Sequence, residues 1–273
     1  MIEKQAIGSA FLKWSLRIVL TLFALLPMYA AIIIALTPSS HVMNRQLFPN
    51  YFEISNFATG FTTIGSGIRN SFFYSGASTI LTLIISIPAA YVLARHHFRG
   101  KQIVLFGLLF TQMIAGIVLL PSLYTLFYNI NAINSVAGVI LVLTGVNLAL
   151  VVWILYGYFQ TLPVGIEEAA MLDGCGYLRM LVEIVLPISG PGVAVGAIFV
   201  FVNTYNEFVI PLFLLTDQAK YPLTLSLYSM LTDITLRWEI IAAASLIAII
   251  PPTLIFLFFQ KYIINGLTTG AVK

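Results

Sequence analysis

Five stretches of this chain contain no Asp, Glu, Lys or Arg, and each is long enough to cross a lipid bilayer as a helix. They lie between Arg17 and Arg45, Arg69 and Arg95, Lys101 and Glu167, Glu183 and Glu207, and Glu239 and Lys261. A spanning helix needs about 20 apolar residues to cross roughly 30 Å of hydrocarbon. The third run is about 65 residues long and carries a polar break, "NINAIN" at 129–134. It therefore reads as two spans joined by a hairpin. The sequence predicts an all-α, polytopic membrane protein with six transmembrane helices, over about 14–36, 71–94, 103–128, 136–159, 188–214 and 240–263. Composition agrees: 60% of residues are hydrophobic, 8% are charged, and the mean hydropathy is +0.99, which excludes a soluble globular domain.

Basic residues fix the expected orientation, because Lys and Arg concentrate in cytoplasmic loops. With both termini inside, Lys4, Lys13, Arg17, Arg95, Arg99, Lys101, Arg179, Lys261 and Lys273 are cytoplasmic, and Arg45, Arg69, Lys220 and Arg237 lie outside. The net charge of +3 follows this topology and gives no reason to expect a nucleic-acid partner. The first run is too long for the core of a cleaved signal peptide. The single cysteine, Cys175, cannot form an internal disulfide and reads as a small packing residue. No polar linker is long enough to separate a second domain, so residues 1–273 read as a single membrane domain.

The longest structured cytoplasmic segment is then the one between the fourth and fifth spans, about 160–187. It contains "EEAAMLDGCGYLRMLVEIVLPISGP" (167–191), with four carboxylates and one arginine in a chain otherwise almost free of charge. Pro163 suits a first helical turn, Ile-Glu-Glu-Ala-Ala-Met-Leu forms helix readily, and Asp173-Gly174 marks its end. In a second helix Leu178, Leu181, Val182 and Val185 form an apolar stripe, with Arg179 and Glu183 paired four apart on another face and Pro187 disrupting the helix. A water-facing helix, glycine turn and helix, with acidic and small residues near the tip, suits docking into a groove on a partner protein.

This segment resembles the EAA loop of the permease subunits of binding-protein-dependent ABC importers, E-A-A-x-x-x-G followed by I-x-L-P. Glu168, Ala169, Ala170, Gly174, Ile184, Leu186 and Pro187 match that pattern at its spacing. "YVLARHHFRGK" (91–101), "QMIAGIVLLPSLYTLF" (112–127), "YNEFVIPLFLL" (205–215) and "QKYIINGLTTGAVK" (260–273) extend the likeness to carbohydrate-type, maltose-permease-like members. Ala115 stands where that family commonly has proline, and Tyr205 where it usually has tryptophan.

The resemblance implies the type I ABC importer permease fold in the cell inner membrane. It implies that Glu168, Ala169, Ala170, Asp173, Gly174, Ile184, Leu186 and Pro187 couple to a separate ATPase. It also implies that the tail at about 264–273, with Asn265, Gly266, Leu267, Thr268 and Gly270, reaches into the ATPase pair. The implied partners are a second homologous permease subunit, two ATPase subunits, an extracytoplasmic substrate-binding protein and the membrane lipid. The implied cargo is an oligosaccharide or related glycoside.

The residues themselves agree that the motor lies elsewhere. The chain has no G-x-x-x-x-G-K-[ST] phosphate loop, so no cofactor is expected on it, and ATP and Mg belong to the partner ATPase. His41, His96 and His97 are too few and too badly placed for a zinc site, so no metal and no catalytic residue is expected. Within the spans, Asn203 and Glu207 lie four apart in the expected fifth helix, and Asn206 extends that polar patch. Pro211 cannot donate to the Glu207 carbonyl, which leaves a further acceptor there. An ionisable group in lipid costs about 2.5–3.5 kcal/mol on insertion scales and so faces a partner helix or a wet cavity. The patch reads either as translocation pathway at the interface with the second permease or as interhelical bonding that holds the bundle. A position of Glu207 near the outer surface would solvate it. Gly192-x-x-x-Gly196 offers a close-packing interface, and Tyr124, beside Pro121, is the aromatic best placed to stack on a sugar ring. Two other classes of transport remain open on sequence: an ABC permease for a non-sugar solute, and an ion-coupled secondary carrier using Glu207.

Overall fold

The computed structural model describes residues 2–44, 48–114, 116–233 and 235–269, with side chains over 14–258 of those. Besides two single 3-10 turns, the described residues form eleven helices in chain order: α1 Ile2–Ala35, α2 Ser55–Arg95, α3 Lys101–Met113, α4 Gly116–Asn129, α5 Val136–Thr161, α6 Val164–Leu172, α7 Tyr177–Ile188, α8 Gly190–Tyr205, α9 Val209–Leu214, α10 Leu223–Leu231 and α11 Trp238–Thr269. Among the described residues there is no strand. Among the described residues four helices are long and apolar enough to span alone, and the number rises to six when each of two sharply bent helix pairs counts as one span.

Several expected boundaries change. The span expected at 71–94 is the second half of a helix that starts at Ser55 and runs for 41 residues, about 60 Å, twice the thickness of the hydrocarbon. The span expected at 103–128 is the pair α3 and α4, bent by 93°. Ala115 itself lies outside the described residues. The span expected at 188–214 is interrupted: α8 ends at Tyr205 and α9 begins at Val209. The last helix runs from Trp238 to Thr269, past the expected 240–263. The polar break does form a hairpin turn, and Asn131 (φ 52°) and Asn134 (φ 63°) both take the left-handed conformation that asparagine tolerates.

The chain divides into two compact units, and α2 and α11 run through both. One unit comprises residues 1–65 and 227–250. There the buried Asn56 amide donates to the carbonyls of Ala35 (2.9 Å) and Thr37 (3.1 Å), tying the end of α1 to the start of α2. Gly60 lies against the backbone of Ala244. Glu239, in the first turn of α11, is buried and paired with Arg237 at 3.2 Å.

The other unit comprises residues 66–226 and 251–273 and holds two apolar clusters. One gathers Tyr74, Leu120, Phe127, Val139, Leu143, Ile210 and Leu214 around α4, α5 and α9. The second gathers Ala90, Tyr91 and Leu93 of α2, Val151 to Phe159 of α5, Ala170 of α6, Met180, Leu181 and Val185 of α7, and Val200 of α8. Helix α8 packs closely on α5 because Gly192 and Gly196 offer no side chain. A Cβ at Gly192 would lie 2.5 Å from the Tyr158 ring, and one at Gly196 would lie 3.2 Å from Val151. Close approach at small residues is how membrane helices associate without a hydrophobic driving force.

Gly192→Ala is therefore expected to destabilise the protein by about 1–3 kcal/mol through overpacking. Gly157→Ala on α5, where a Cβ meets nothing within 4 Å, is expected to be neutral or stabilising. Thermal unfolding of both variants in one detergent checks the pair, and equal midpoints would contradict this packing.

Candidate functional site

The loop between α5 and α8 is built by two short helices and one glycine. Helix α6 starts after Pro163 and closes in a Schellman cap. Gly174 N donates to Met171 O at 3.0 Å, Cys175 N donates to Ala170 O at 3.0 Å, and Gly174 has φ +78°. A Cβ at Gly174 would meet nothing within 4 Å, so the requirement for glycine at the helix end comes from the backbone conformation and not from a close contact.

Successive residues of a helix point about 100° apart, and this separates two adjacent carboxylates. Glu168, Ala169, Met171, Leu172 and Asp173 are exposed, with Leu172 at 90%. Glu167 and Ala170 are the buried residues of α6. The expectation of a wholly water-facing helix is thus corrected at Glu167, whose side chain is 5% exposed and lies against Arg95, itself 10% exposed. Nε and Nη2 of Arg95 both reach Oε1 of Glu167 at 2.7 Å, and Tyr91 donates its hydroxyl to Oε2 at 2.8 Å. Nη2 of Arg95 also donates to the Leu162 carbonyl at 3.2 Å. Removing one partner of a buried, bonded pair typically costs about 3–5 kcal/mol, because the other charge is left without compensation. Both charges also suit their helix ends, the arginine in the last turn of α2 and the glutamate in the first turn of α6.

Helix α7 differs from its expected stripe. Leu181 and Val185 are buried as predicted, Met180 joins them, and Leu178 and Val182 are exposed. The sequence expectation assumed uniform α-helix, whereas Leu181–Val185 forms a π-turn with Leu186 N donating to Leu181 O. The π-turn lies immediately before Pro187, whose missing N–H removes the next α-helical donor. Pro187 thus loosens the helix, and the sharp break comes later, at Ser189, where α7 and α8 meet at 82°. Ile184 and Leu186 are half-buried, and Pro187 is exposed. Arg179 and Glu183 pair at 2.8 Å on the exposed face, as their spacing predicted. The carboxylate raises the guanidinium pKa further through its hydrogen bond.

The polar residues expected in the fifth span occupy two places. Asn203, exposed on α8, donates to Oδ1 of the buried Asn147 of α5 at 2.7 Å. Nδ2 of Asn147 donates to Leu143 O at 2.8 Å and Thr204 Oγ1 at 3.4 Å. Asn206 is exposed and bonds its own helix at Val202 O. Glu207 does not share a helical face with Asn203, because the chain leaves the helix at Asn206. Its Oε1 accepts from Val209 N at 2.8 Å and Ile210 N at 3.1 Å, capping α9. The carbonyl that Pro211 leaves free is taken by the Thr224 hydroxyl at 2.7 Å. Tyr124 is exposed on α4, its ring near-parallel to that of Tyr128 at 6.4 Å. No hydrogen bond or ring contact joins it to Asn203, Asn206 or Glu207 among the described residues.

For the tail, the backbone of Asn265, Gly266, Leu267 and Thr268 is helical, their side chains lie outside the described set, and Gly270 lies outside the described residues altogether. Sequence reasoning missed Asn147, Glu167, Arg95 and Tyr91. It also missed a row of buried hydroxyls on α2, Ser75, Thr79, Thr82 and Ser86, at helical spacing in a charge-free run.

A family profile described as the binding-protein-dependent transport system inner membrane component matches residues 82–269. The chain belongs to this family. The permease is 30% identical over 228 residues to the sulfoquinovosyl glycerol transport system permease protein SmoH of Agrobacterium fabrum, covering 83% of this chain and 80% of that one. It is 30% identical to the arabinooligosaccharides transport system permease protein AraQ of Halalkalibacterium halodurans, over 97% of this chain and 98% of the relative. It is 35% identical to the maltose/maltodextrin transport system permease protein MalG of Escherichia coli, over 75% and 71%. The permease also shares its fold with a chain of a bacterial ABC transporter involved in the import of the acidic polysaccharide alginate. The TM-score is 0.81 at 20% identity, over 93% of this chain and 95% of that one. The expected all-α polytopic permease fold is borne out, and the protein is a transporter subunit in the membrane, not an enzyme.

The Asn147–Asn203 bond gives a test of the α5–α8 interface. A double-mutant cycle of Asn147→Ala and Asn203→Ala, read by unfolding in detergent, is expected to give a coupling energy of about 0.6–1.7 kcal/mol. Additive effects would mean that the two amides do not meet.

Proposed function

We infer that this permease forms half of the translocation pathway of an ATP-driven importer for an oligosaccharide or related glycoside. The loop from Pro163 to Pro187 docks on a separate ATPase subunit. The observation that carries the reading is α6: a short helix with Glu168, Ala169, Met171, Leu172 and Asp173 turned outward, closed by a glycine in the left-handed conformation. The names of the relatives support the cargo class, since sulfoquinovosyl glycerol, arabinooligosaccharides and maltodextrins are all glycosides.

The assembly pairs this chain, acting as a single permease domain, with a second homologous permease. Two ATPases that bind ATP and Mg sit beneath, and an extracytoplasmic binding protein delivers cargo. A solved relative of the same fold is described in complex with an alginate pentasaccharide-bound periplasmic protein. Asn203 and Asn206, with Tyr124 and the Glu207 turn, contribute to the pathway or to the face toward the second permease. The helical tail at Asn265–Thr268, with Gly270 beyond it, contacts the ATPase pair. Closure of the ATPases displaces the loop, and the permease conformation is biased by each ATPase state.

Gly174→Val tests the docking element. A β-branched residue at φ +78° is strained, while Asn tolerates that region. In the purified complex, Gly174→Val is expected to release the ATPase or to cut uptake per ATP roughly tenfold, with Gly174→Asn close to wild type. Normal uptake by Gly174→Val with the ATPase bound would refute the assignment. Orientation is tested in a Cys175→Ser background. Asp233→Cys is expected to react with an impermeant thiol reagent in intact cells, and Glu183→Cys only after permeabilisation. The reverse pattern would place the loop on the wrong side of the membrane for an ATPase.

A further inference from the structure

We propose that Glu167, Arg95 and Tyr91 form a strut that transmits displacement of α6 to the ends of α2 and α5, making Glu167 a positioning residue for coupled transport. The proposal rests on the reading of the loop as the ATPase-docking element and assigns the step after docking.

Helix α6 has little else to hold it. Of its nine residues only Glu167 and Ala170 are buried, and Ala170 contributes a single methyl group to the apolar cluster. Val164, Ile166, Met171 and Leu172 are exposed. A non-directional apolar contact of this size lets a helix slide, whereas hydrogen bonds fail with small shifts. A displacement of about 1 Å takes a 2.7 Å contact beyond bonding distance. The carboxylate uses both oxygens, Oε1 on the guanidinium and Oε2 on the Tyr91 hydroxyl, so it is fixed in rotation as well as position. Tyr91 is itself held by the edge-to-face ring of Phe159 on α5 at 5.9 Å. Arg95 closes the figure by bonding the Leu162 carbonyl just beyond α5. Three helix ends thus meet at one buried carboxylate. The neighbouring residue, Glu168, faces out, so adjacent glutamates divide the work: one meets the partner and the other holds the spans.

The experiment uses the full importer, reconstituted with its partner permease, ATPase and binding protein. ATPase bound per permease, ATP hydrolysis and uptake are measured together. Tyr91→Phe keeps the ring on Phe159 and the ion pair, and removes one hydrogen bond. Uptake per ATP is expected to fall roughly threefold with the uptake KM and the bound ATPase unchanged. Glu167→Gln is expected to lose roughly tenfold on the same ratio. A purely structural role would lower the yield of assembled complex and leave the ratio at the wild-type value, and that result overturns the proposal.

A covalent replacement gives an independent decision. In a Cys175→Ser background, Arg95→Cys with Glu167→Cys is joined by a thiol-cleavable bifunctional linker, and the same sample is assayed before and after reduction. Uptake per ATP is expected to be high when linked and to fall on cleavage. A linked complex no better coupled than the cleaved one overturns the strut. Gly174→Val run in parallel separates the two readings: uncoupling by it but not by Tyr91→Phe sinks the strut alone, and uncoupling by neither sinks the docking element as well.

Discussion

A carboxylate buried beside the end of a membrane helix requires an answering charge, and the Glu167–Arg95 pair organises the loop end of the permease around that requirement. Neither group could stay at this depth alone. With both present, Oε1 and Oε2 are satisfied by one guanidinium and one phenol, and the guanidinium has a bond left for the Leu162 carbonyl. Where α6 sits on the bundle follows from this arrangement more than from apolar burial, because α6 contributes only Ala170 to the surrounding cluster. The outward face is left with Glu168, Ala169 and Leu172 exposed.

Deeper in the same unit, α5 and α8 solve a different problem. Between helices in lipid there is no hydrophobic gain from association, so contact relies on close approach and interhelical hydrogen bonds. Gly192 and Gly196 provide the first and the Asn147–Asn203–Thr204 group provides the second. Asn147, fully enclosed, directs its amide to its own helix and to α8, while Asn203 keeps an exposed flank. A polar residue on the surface of this chain is thus held in a fixed position by a buried one behind it.

The breaks in the helices obey the rule that backbone groups must find partners inside the membrane. A π-turn at Leu181–Val185 adjoins the donor missing at Pro187, and Ser189 returns both N–H and hydroxyl to Val185 O before the chain bends. After Tyr205 the helix stops, yet Glu207 caps α9 and Thr224 takes the Glu207 carbonyl. At these two interruptions the helix is redirected while Leu181, Val185 and Glu207 keep hydrogen-bonded carbonyls. The second interruption places Glu207 in a turn between α8 and α9, where a carboxylate can bind free N–H groups without a counter-ion.

The sequence by itself determined the class of fold, the number of apolar runs, the hairpin at Asn131–Asn134 and the loop that carries the family pattern. Those features are local: each follows from charge-free length, turn chemistry or residues at fixed spacing. Gly174 was legible for the same reason, since a positive φ after a helix is written in a few adjacent residues. What only the tertiary structure decided were pairings across the chain. Arg95 and Glu167 are 72 residues apart, Asn147 and Asn203 are 56 apart, and neither pair leaves a periodic trace. Thr224, 17 residues beyond Glu207, was equally hidden. Helix period separates Glu167 from Glu168 by about 100°, but which of the two faces inward depends on where the other helices stand. That choice was made by Arg95 and Tyr91, at the far end of another span.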